Sequence, residues 1–205
     1  VLSAKPDLAQ QAAGQLDRVW ERFYDSLTRP VVLTIWHEPD SKVRAKQLTL
    51  PAWSAAFQHW VSHAHAYREA HGTPLTTMLN LTNGPWRWAP EDPSRYLVGA
   101  RPDLFGLDCY QDVPSDWLVP EEMVDAPFEW ALTHGFRQLG VPEFGAISDP
   151  RRSQWVADMV EWLDHWDSVR FASYWTDRGS KFDARTDPAT IRVLKSAILR
   201  RQGSF

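Results

Sequence analysis

Two glutamates stand out by where they fall in the chain. Glu38 follows the run Val31-Val32-Leu33-Thr34-Ile35-Trp36 and His37, and Glu143 follows Leu139-Gly140-Val141-Pro142. Carboxylates at the ends of two strands, facing each other across a cleft, are what cleavage of a glycosidic bond needs: one protonates the leaving oxygen while the other attacks or activates water. A strand-end carboxyl held partly out of water is pushed toward its neutral form, which suits Glu38 to proton donation. Glu143, next to Phe144-Gly145, suits an ionised nucleophile that forms a covalent intermediate. The blander alternatives are a salt-bridged glutamate in a loop for Glu38 and a brace at a barrel rim for Glu143. The two are 105 positions apart (143 − 38), about three β/α units, which in a barrel sets them on strands facing across the mouth.

Other side chains group around this pair. His37 could hydrogen-bond a neighbouring carboxylate or a substrate, or be satisfied by backbone. Period-two alternation puts Asp108 and Tyr110 on one face of a strand and Cys109 on the other. Tyr110 is then placed to hydrogen-bond a nucleophilic carboxylate and help it stay ionised, or simply to pack. Cys109 reads as a small buried hydrophobe. Trp175 could form a platform under a sugar ring, Trp36 is the alternative because its spacing from Glu38 suggests a common face, and the loop pair Trp86 and Trp88 could line a more distant subsite. Asp40, Asp177 and Arg178 could bind sugar hydroxyls. Trp53, Trp60, Trp155, Trp162 and Trp166 sit in helical patterns and are assigned to packing. His59 and His63 have the spacing of one helix face but lack the Glu of a metallohydrolase motif, and are expected on a solvated face. The sequence contains no P-loop, kinase signature or Gly-x-Ser-x-Gly elbow.

The elements that must position these residues alternate. Leu16, Val19, Trp20, Phe23, Tyr24 and Leu27 repeat at three and four residues, predicting one amphipathic helix from Leu8 to about Leu27. Val31 to Trp36 reads as a strand buried on both faces. A helix is predicted from Pro51 to Gly72, a strand over Leu75 to Leu81, a loop from Asn83 to about Asp92 and a strand over Asp103 to Tyr110. A helix between about Pro120 and Leu139 leads into the short strand before Glu143. A helix around Trp155 to Leu163, a strand from Val169 to Trp175 and a helix from Pro188 to Leu199 complete the order. Strands separated by helices define the parallel β/α class. An open doubly wound sheet would carry a glycine-rich phosphate loop, which is missing here. The polar strand ends fit a (β/α)8 barrel, where function gathers at the C-terminal ends of strands. Five strands cannot close such a barrel, so about three units are expected to precede Val1.

Composition narrows the classes. With 22 basic and 26 acidic residues the net charge is -4, and without an extended Lys/Arg block a nucleic-acid surface is not expected. The single cysteine, Cys109, excludes an intrachain disulfide and any thiolate-cluster metal site. No run approaches the length of a membrane span. Twelve tryptophans exceed what a core of this size needs, and aromatic faces in a cleft stack on ring-shaped ligands.

Trp36-His37-Glu38, then Asp103-Leu104-Phe105-Gly106-Leu107-Asp108-Cys109-Tyr110, then Pro142-Glu143-Phe144-Gly145 together resemble the retaining β-glycanases of clan A, and most closely glycoside hydrolase family 26, which includes β-mannanases. The resemblance implies a TIM barrel of which residues 1–205 form the C-terminal part, strands four to eight, the first three belonging to a preceding portion with which the chain would associate. It makes Glu38 the acid/base on strand four and Glu143 the nucleophile on strand seven, with His37 and Tyr110 assisting. Trp175 would be the stacking platform, with Trp36, Trp86, Trp88, Asp108 and Asp177 as further substrate contacts. It implies an endo-acting enzyme on β-linked polysaccharide such as β-mannan, with no metal or organic cofactor, and a secreted or cell-surface location. Pro39-Asp40-Ser41-Lys42 departs from the polar, tryptophan-rich loop of typical mannanases. The competing expectation is a degenerate barrel that binds carbohydrate without turning it over, and a third is a purely structural scaffold.

Overall fold

The computed structural model describes residues 1–97, 99 and 101–202, with side chains to residue 199. The fold is α/β, with six strands ordered β1-β2-β3-β4-β5-β6 along the sheet, as they occur in the chain. The chain divides into two compact units, Val1–Gly106 with Phe136–Gln138, and Leu107–Gly135 with Leu139–Phe205.

In the first unit β1 (Leu2–Ala4) and β2 (Val31–Ile35) run parallel with Leu2 opposite Leu33, and β2 and β3 (Leu75–Thr82) run parallel with Val31 opposite Leu75. Strand β1 is one more than the five the sequence predicts. It has only three residues, two of them exposed, so it carries no apolar alternation to read. The described residues thus hold six strands, against the eight of a closed (β/α)8 barrel. The single helix expected over Leu8 to Leu27 is two, α1 (Leu8–Ala12) and α2 (Asp17–Asp25). The break falls at Gly14, whose φ of 72° is left-handed and where a Cβ would stand 3.1 Å from Asp17 and 3.3 Å from His59. A short helix, α3 (Pro39–Arg44), follows β2.

Helix α4 (Leu50–His71) starts with proline in its first turn and stops at Gly72, φ 65°, as predicted. Its stripe Trp53, Phe57, Trp60 and Ala64 is buried, and truncating one such aromatic to alanine costs about 3–5 kcal/mol. Asp103, before β4 (Leu104–Gln111), ties α4 to β3. Its carboxylate accepts from Arg68 at 2.7 and 3.0 Å and from the Thr77 N–H at 2.8 Å. Burial works against its charge, yet the bonds from Arg68 and Thr77 hold this carboxyl below the ordinary value of 3.8.

In the second unit α5 (Pro120–Thr133), β5 (Leu139–Ala146), α6 (Arg152–Asp164), β6 (Val169–Tyr174) and α7 (Pro188–Gln202) alternate. Helix α5 stops before the expected Leu139, at a turn where Gly135 adopts φ 87°. Strands β5 and β6 are parallel but twice out of step. Leu139 pairs Val169 while Gly140 pairs Phe171, and Val141 pairs Ala172 while Phe144 pairs Tyr174. The first irregularity puts an extra residue on β6 and the second puts one on β5, at Pro142-Glu143. Five steps separate Leu139 from Phe144 and five separate Val169 from Tyr174, so the two cancel. A bulge re-aims the side chain it carries, and proline suits it because it has no N–H to pair.

Candidate active site

Glu143 lies inside β5, not past its end. It is the only half-buried residue in a strand whose other members are buried. Tyr110, near the end of β4, donates its hydroxyl to Glu143 Oε2, the contact the sequence reading assigned to it. Asp108 and Cys109 are both buried, and burial, then the neighbouring Asp108 charge, pushes the Cys109 thiol far up, which leaves it an inert hydrophobe.

Trp175 follows β6, and its N–H donates to the Phe144 carbonyl at 2.8 Å, extending the parallel pairing by one residue. Its ring meets Tyr110 edge-on at 5.9 Å. Phe182 completes the aromatic set, 5.1 Å from Tyr110 and 5.3 Å from Trp175. A Cβ on Gly145 would sit in ordinary contact at 3.4 Å from all three of these residues. The loop carrying Phe182 is held by Arg152. This buried guanidinium donates to the carbonyls of Ile147 at 2.8 Å and of Asp183 and Lys181 at 3.0 Å. Phe182 and Arg152 were not singled out from the sequence: a lone phenylalanine among polar residues and one arginine of a pair carry no spacing signal. Asp177 and Arg178 lie in the same loop and are exposed. Phe144 lines an apolar groove of about 360 Å³ between β6, α6 and α7.

The first unit holds the other candidates. Strand β2 ends at Ile35, and Trp36 and Glu38 have φ of 47° and 55°. The alternation that put Trp36 and Glu38 on one face therefore does not extend past Ile35. Trp36 instead donates its indole N–H to the Pro6 carbonyl at 2.8 Å, with the Lys5 ammonium 5.9 Å from its ring. His37 Nδ1 hydrogen-bonds Ser3 Oγ at 2.8 Å, so β1 orients the imidazole that precedes Glu38. Pro39 excludes right-handed helical geometry at Glu38, as expected, and Glu38 takes the left-handed one, its own backbone N–H donating to the Asn80 carbonyl at 3.1 Å. The Glu38 carboxylate is 3.4 Å from Lys42 Nζ and accepts from Ser41 Oγ at 3.3 Å, so it makes the loop salt bridge that the sequence offered as the alternative to a proton donor.

Asp40 is fully buried in an ion pair with Arg44 at 3.0 Å, and has no surface to offer a sugar. His59 and His63 do not face solvent but α2, 2.8 Å from Asp17 and 3.6 Å from Glu21. Trp86 is half-buried, edge-on to Phe105 at 6.2 Å. Trp88 is 58% exposed beneath the Arg44 guanidinium, 4.5 Å from its ring centre, and so keeps ring surface for a ligand. Trp53, Trp60 and Trp155 are core residues as assigned, whereas Trp162 and Trp166 are half-buried. Among the described residues no group of three or more His, Cys, Asp and Glu could hold a metal ion. No described helix is long and apolar enough to cross a membrane.

No protein-family model matches the chain, and neither does any curated protein. Solved structures do. An endo-β-1,4-glucanase from Xanthomonas axonopodis pv. citri, in a triple-mutant form, superposes with a TM-score of 0.66 at 14% identity over 90% of this chain. The chain spans 66% of that protein, just under two thirds of its length. A GH128 subgroup VI exo-β-1,3-glucanase from Aureobasidium namibiae gives 0.59 at 15% identity, over 92% of this chain and 68% of that one. A GH128 subgroup VII oligosaccharide-binding protein from Cryptococcus neoformans gives 0.53 at 15% identity, over 87% and 73%. At these identities the likeness is one of fold.

Proposed function

We propose that the chain is the C-terminal part of a retaining glycoside hydrolase of clan A that cleaves β-linked polysaccharide by double displacement. The observation that carries this is the Tyr110 hydroxyl bonded to the Glu143 carboxylate, with Trp175 against the same tyrosine. A nucleophile needs its carboxylate fixed in orientation, and a sugar ring needs an aromatic face. Glu143 attacks the anomeric carbon while Glu38 protonates the departing oxygen. Glu38 then takes a proton from water, which releases the sugar with retained configuration. His37 orients groups beside Glu38, and Trp88 forms an outlying subsite, with Trp36, Trp86 and Asp177 as the remaining assigned contacts; Asp108, buried like Asp40, has no surface to offer a sugar. With β2 counted as the fourth barrel strand and β5 as the seventh, the six strands are numbers three to eight.

The substrate we assign is a neutral β-glycan attacked internally. β-Mannan follows from the family 26 resemblance, and β-glucans are the first comparison because two of the three structures described above are glucanases. Secretion or display at the cell surface follows from a polymeric substrate. The test is release of reducing ends from β-mannan, β-1,4-glucan and β-1,3-glucan by the full-length protein, with the anomer formed followed by NMR. Glu38→Ala and Glu143→Ala are each expected to lose about 10²- to 10⁴-fold in rate, and the first-formed anomer is expected to match the bond cleaved.

A second reading is favoured by one observation, the GH128 protein of the same fold that is described as binding oligosaccharide. Binding of these glycans without hydrolysis, unchanged in both alanine variants, would replace the enzyme by a lectin-like barrel.

A further inference from the structure

Among the described residues, the three non-glycine positions in the left-handed region are Trp36, Glu38 and Lys46, with φ of 47°, 55° and 57°. They bracket α3. Such a conformation costs about 1–3 kcal/mol per residue and persists only where the surroundings over-determine it. The side chain that does so here is Asp40. Its buried carboxylate accepts from the Thr82 N–H at 3.1 Å, from Thr82 Oγ1, and from Arg44 Nη2 at 3.0 Å. A buried carboxylate is tolerated only when it is paired and hydrogen-bonded, so α3 has one seat at the end of β3. Arg44 continues the connection. It reaches Thr82 Oγ1 at 3.3 Å and Glu91 at 3.4 Å and lies over Trp88. Gly84 leaves room for it, since a Cβ there would stand 2.8 Å from Arg44 Nη2 and 2.9 Å from Thr82 Oγ1 and from Trp88.

We propose that Asp40 is the positioning residue for Glu38: its carboxylate, clamped between Thr82 at the end of β3 and Arg44 on α3, fixes the left-handed turn from which the Glu38 side chain projects. Through Arg44 the same clamp seats Trp88, so the proton donor and the outlying platform are held by one buried charge. The proposal rests on the assignment of Glu38 as acid/base, but its structural half is tested separately.

The test compares Asp40→Asn and the milder Thr82→Val with the unaltered full-length protein. One measurement is the NMR signals and amide exchange of Glu38, Lys46 and α4; the other is turnover of β-mannan and β-1,4-glucan oligosaccharides. Asp40→Asn is expected to lose about 10²-fold in kcat, the scale of a misplaced catalytic group, with KM nearly unchanged, and Thr82→Val about tenfold. Both are expected to shift the Glu38 and Lys46 signals and to speed exchange of the Glu38 N–H at least tenfold, while α4 stays protected. Where Asp40→Asn does not fold, Thr82→Val decides. Unmoved Glu38 signals, or faster exchange spread evenly over α4 and β3, overturn the clamp. Shifted Glu38 signals in a protein whose unaltered form hydrolyses none of these glycans uphold the clamp and remove the hydrolase assignment instead.

Discussion

Tyr110 and Glu143 form the contact on which the proposed chemistry turns, and it is the contact the sequence comes nearest to spelling out. Tyr110 is half-buried and near a strand end, where a phenol can reach a neighbour without leaving its own packing against Trp175 and Phe182. A hydrogen bond to a charged group contributes about 1.5–3 kcal/mol. Tyr110→Phe keeps the ring contacts and removes only that bond, so kcat is expected to fall about 10- to 100-fold with little change in KM, measured by steady-state hydrolysis. Residue types were readable because carboxylate, phenol and indole each have few roles beside a buried strand, but the placement of Glu143 inside β5 and of Glu38 on a turn three residues past β2 was not. Beyond the pair of Tyr110 and Glu143, most partners were not. Ser3 bonded to His37 and Phe182 beside Trp175 depend on how β1 and a loop fold back, which no local pattern records. Ser41 and Lys42, three and four residues past Glu38, reach it only because α3 forms there.

Among the elements, long periodic segments were legible and short ones were not. Helix α4 declares itself through proline at one end, glycine at the other and an aromatic stripe between. Strand β1 and helix α3, of three and six residues, fall below any period. Asp103 joins α4 to β3, and its pH dependence follows from sign. Its carboxyl titrates below the ordinary value when folded and near about 3.9 when unfolded. The stabilisation is thus present above pH 4 and is lost as pH falls through the folded value. Because Arg68 and Asp103 keep side-chain exposures of 31% and 23%, solvent screens the pair and the loss is modest. Urea unfolding is expected to show stability falling as pH drops below about 4, and Asp103→Asn to be more destabilised relative to the unaltered protein at pH 6 than at pH 3.

For the molecule as a whole, the balance of charge bears on what it binds. A net charge of -4 spread over 205 residues gives no field strong enough to gather a polyanion. A neutral glycan held by aromatic faces releases no counterions when it binds. Affinity for β-mannan or β-glucan oligosaccharides is therefore expected to change less than about twofold between 50 and 500 mM salt, read by calorimetry, whereas a polyanionic ligand would lose orders of magnitude. The parallel β/α class was legible in the alternation of elements, but the number of strands was not, because counting depends on the shortest one. The pairing of β5 with β6 was equally out of reach, since bulges leave no mark on hydrophobic pattern.

That pairing limits how this chain can vary. An extra residue on β6 early in the ladder and one on β5 at Pro142-Glu143 bring Phe144 and Tyr174 back into step. Loss of either surplus residue alone would slide Trp175 by one place against the strand of Glu143 and turn its ring to the opposite face. Loss of both would leave the end of the ladder as it stands. Length changes in this part of the chain are therefore tolerated in compensating pairs, so two sequences with different spacings up to the glutamate and up to the tryptophan can present the same pair of side chains.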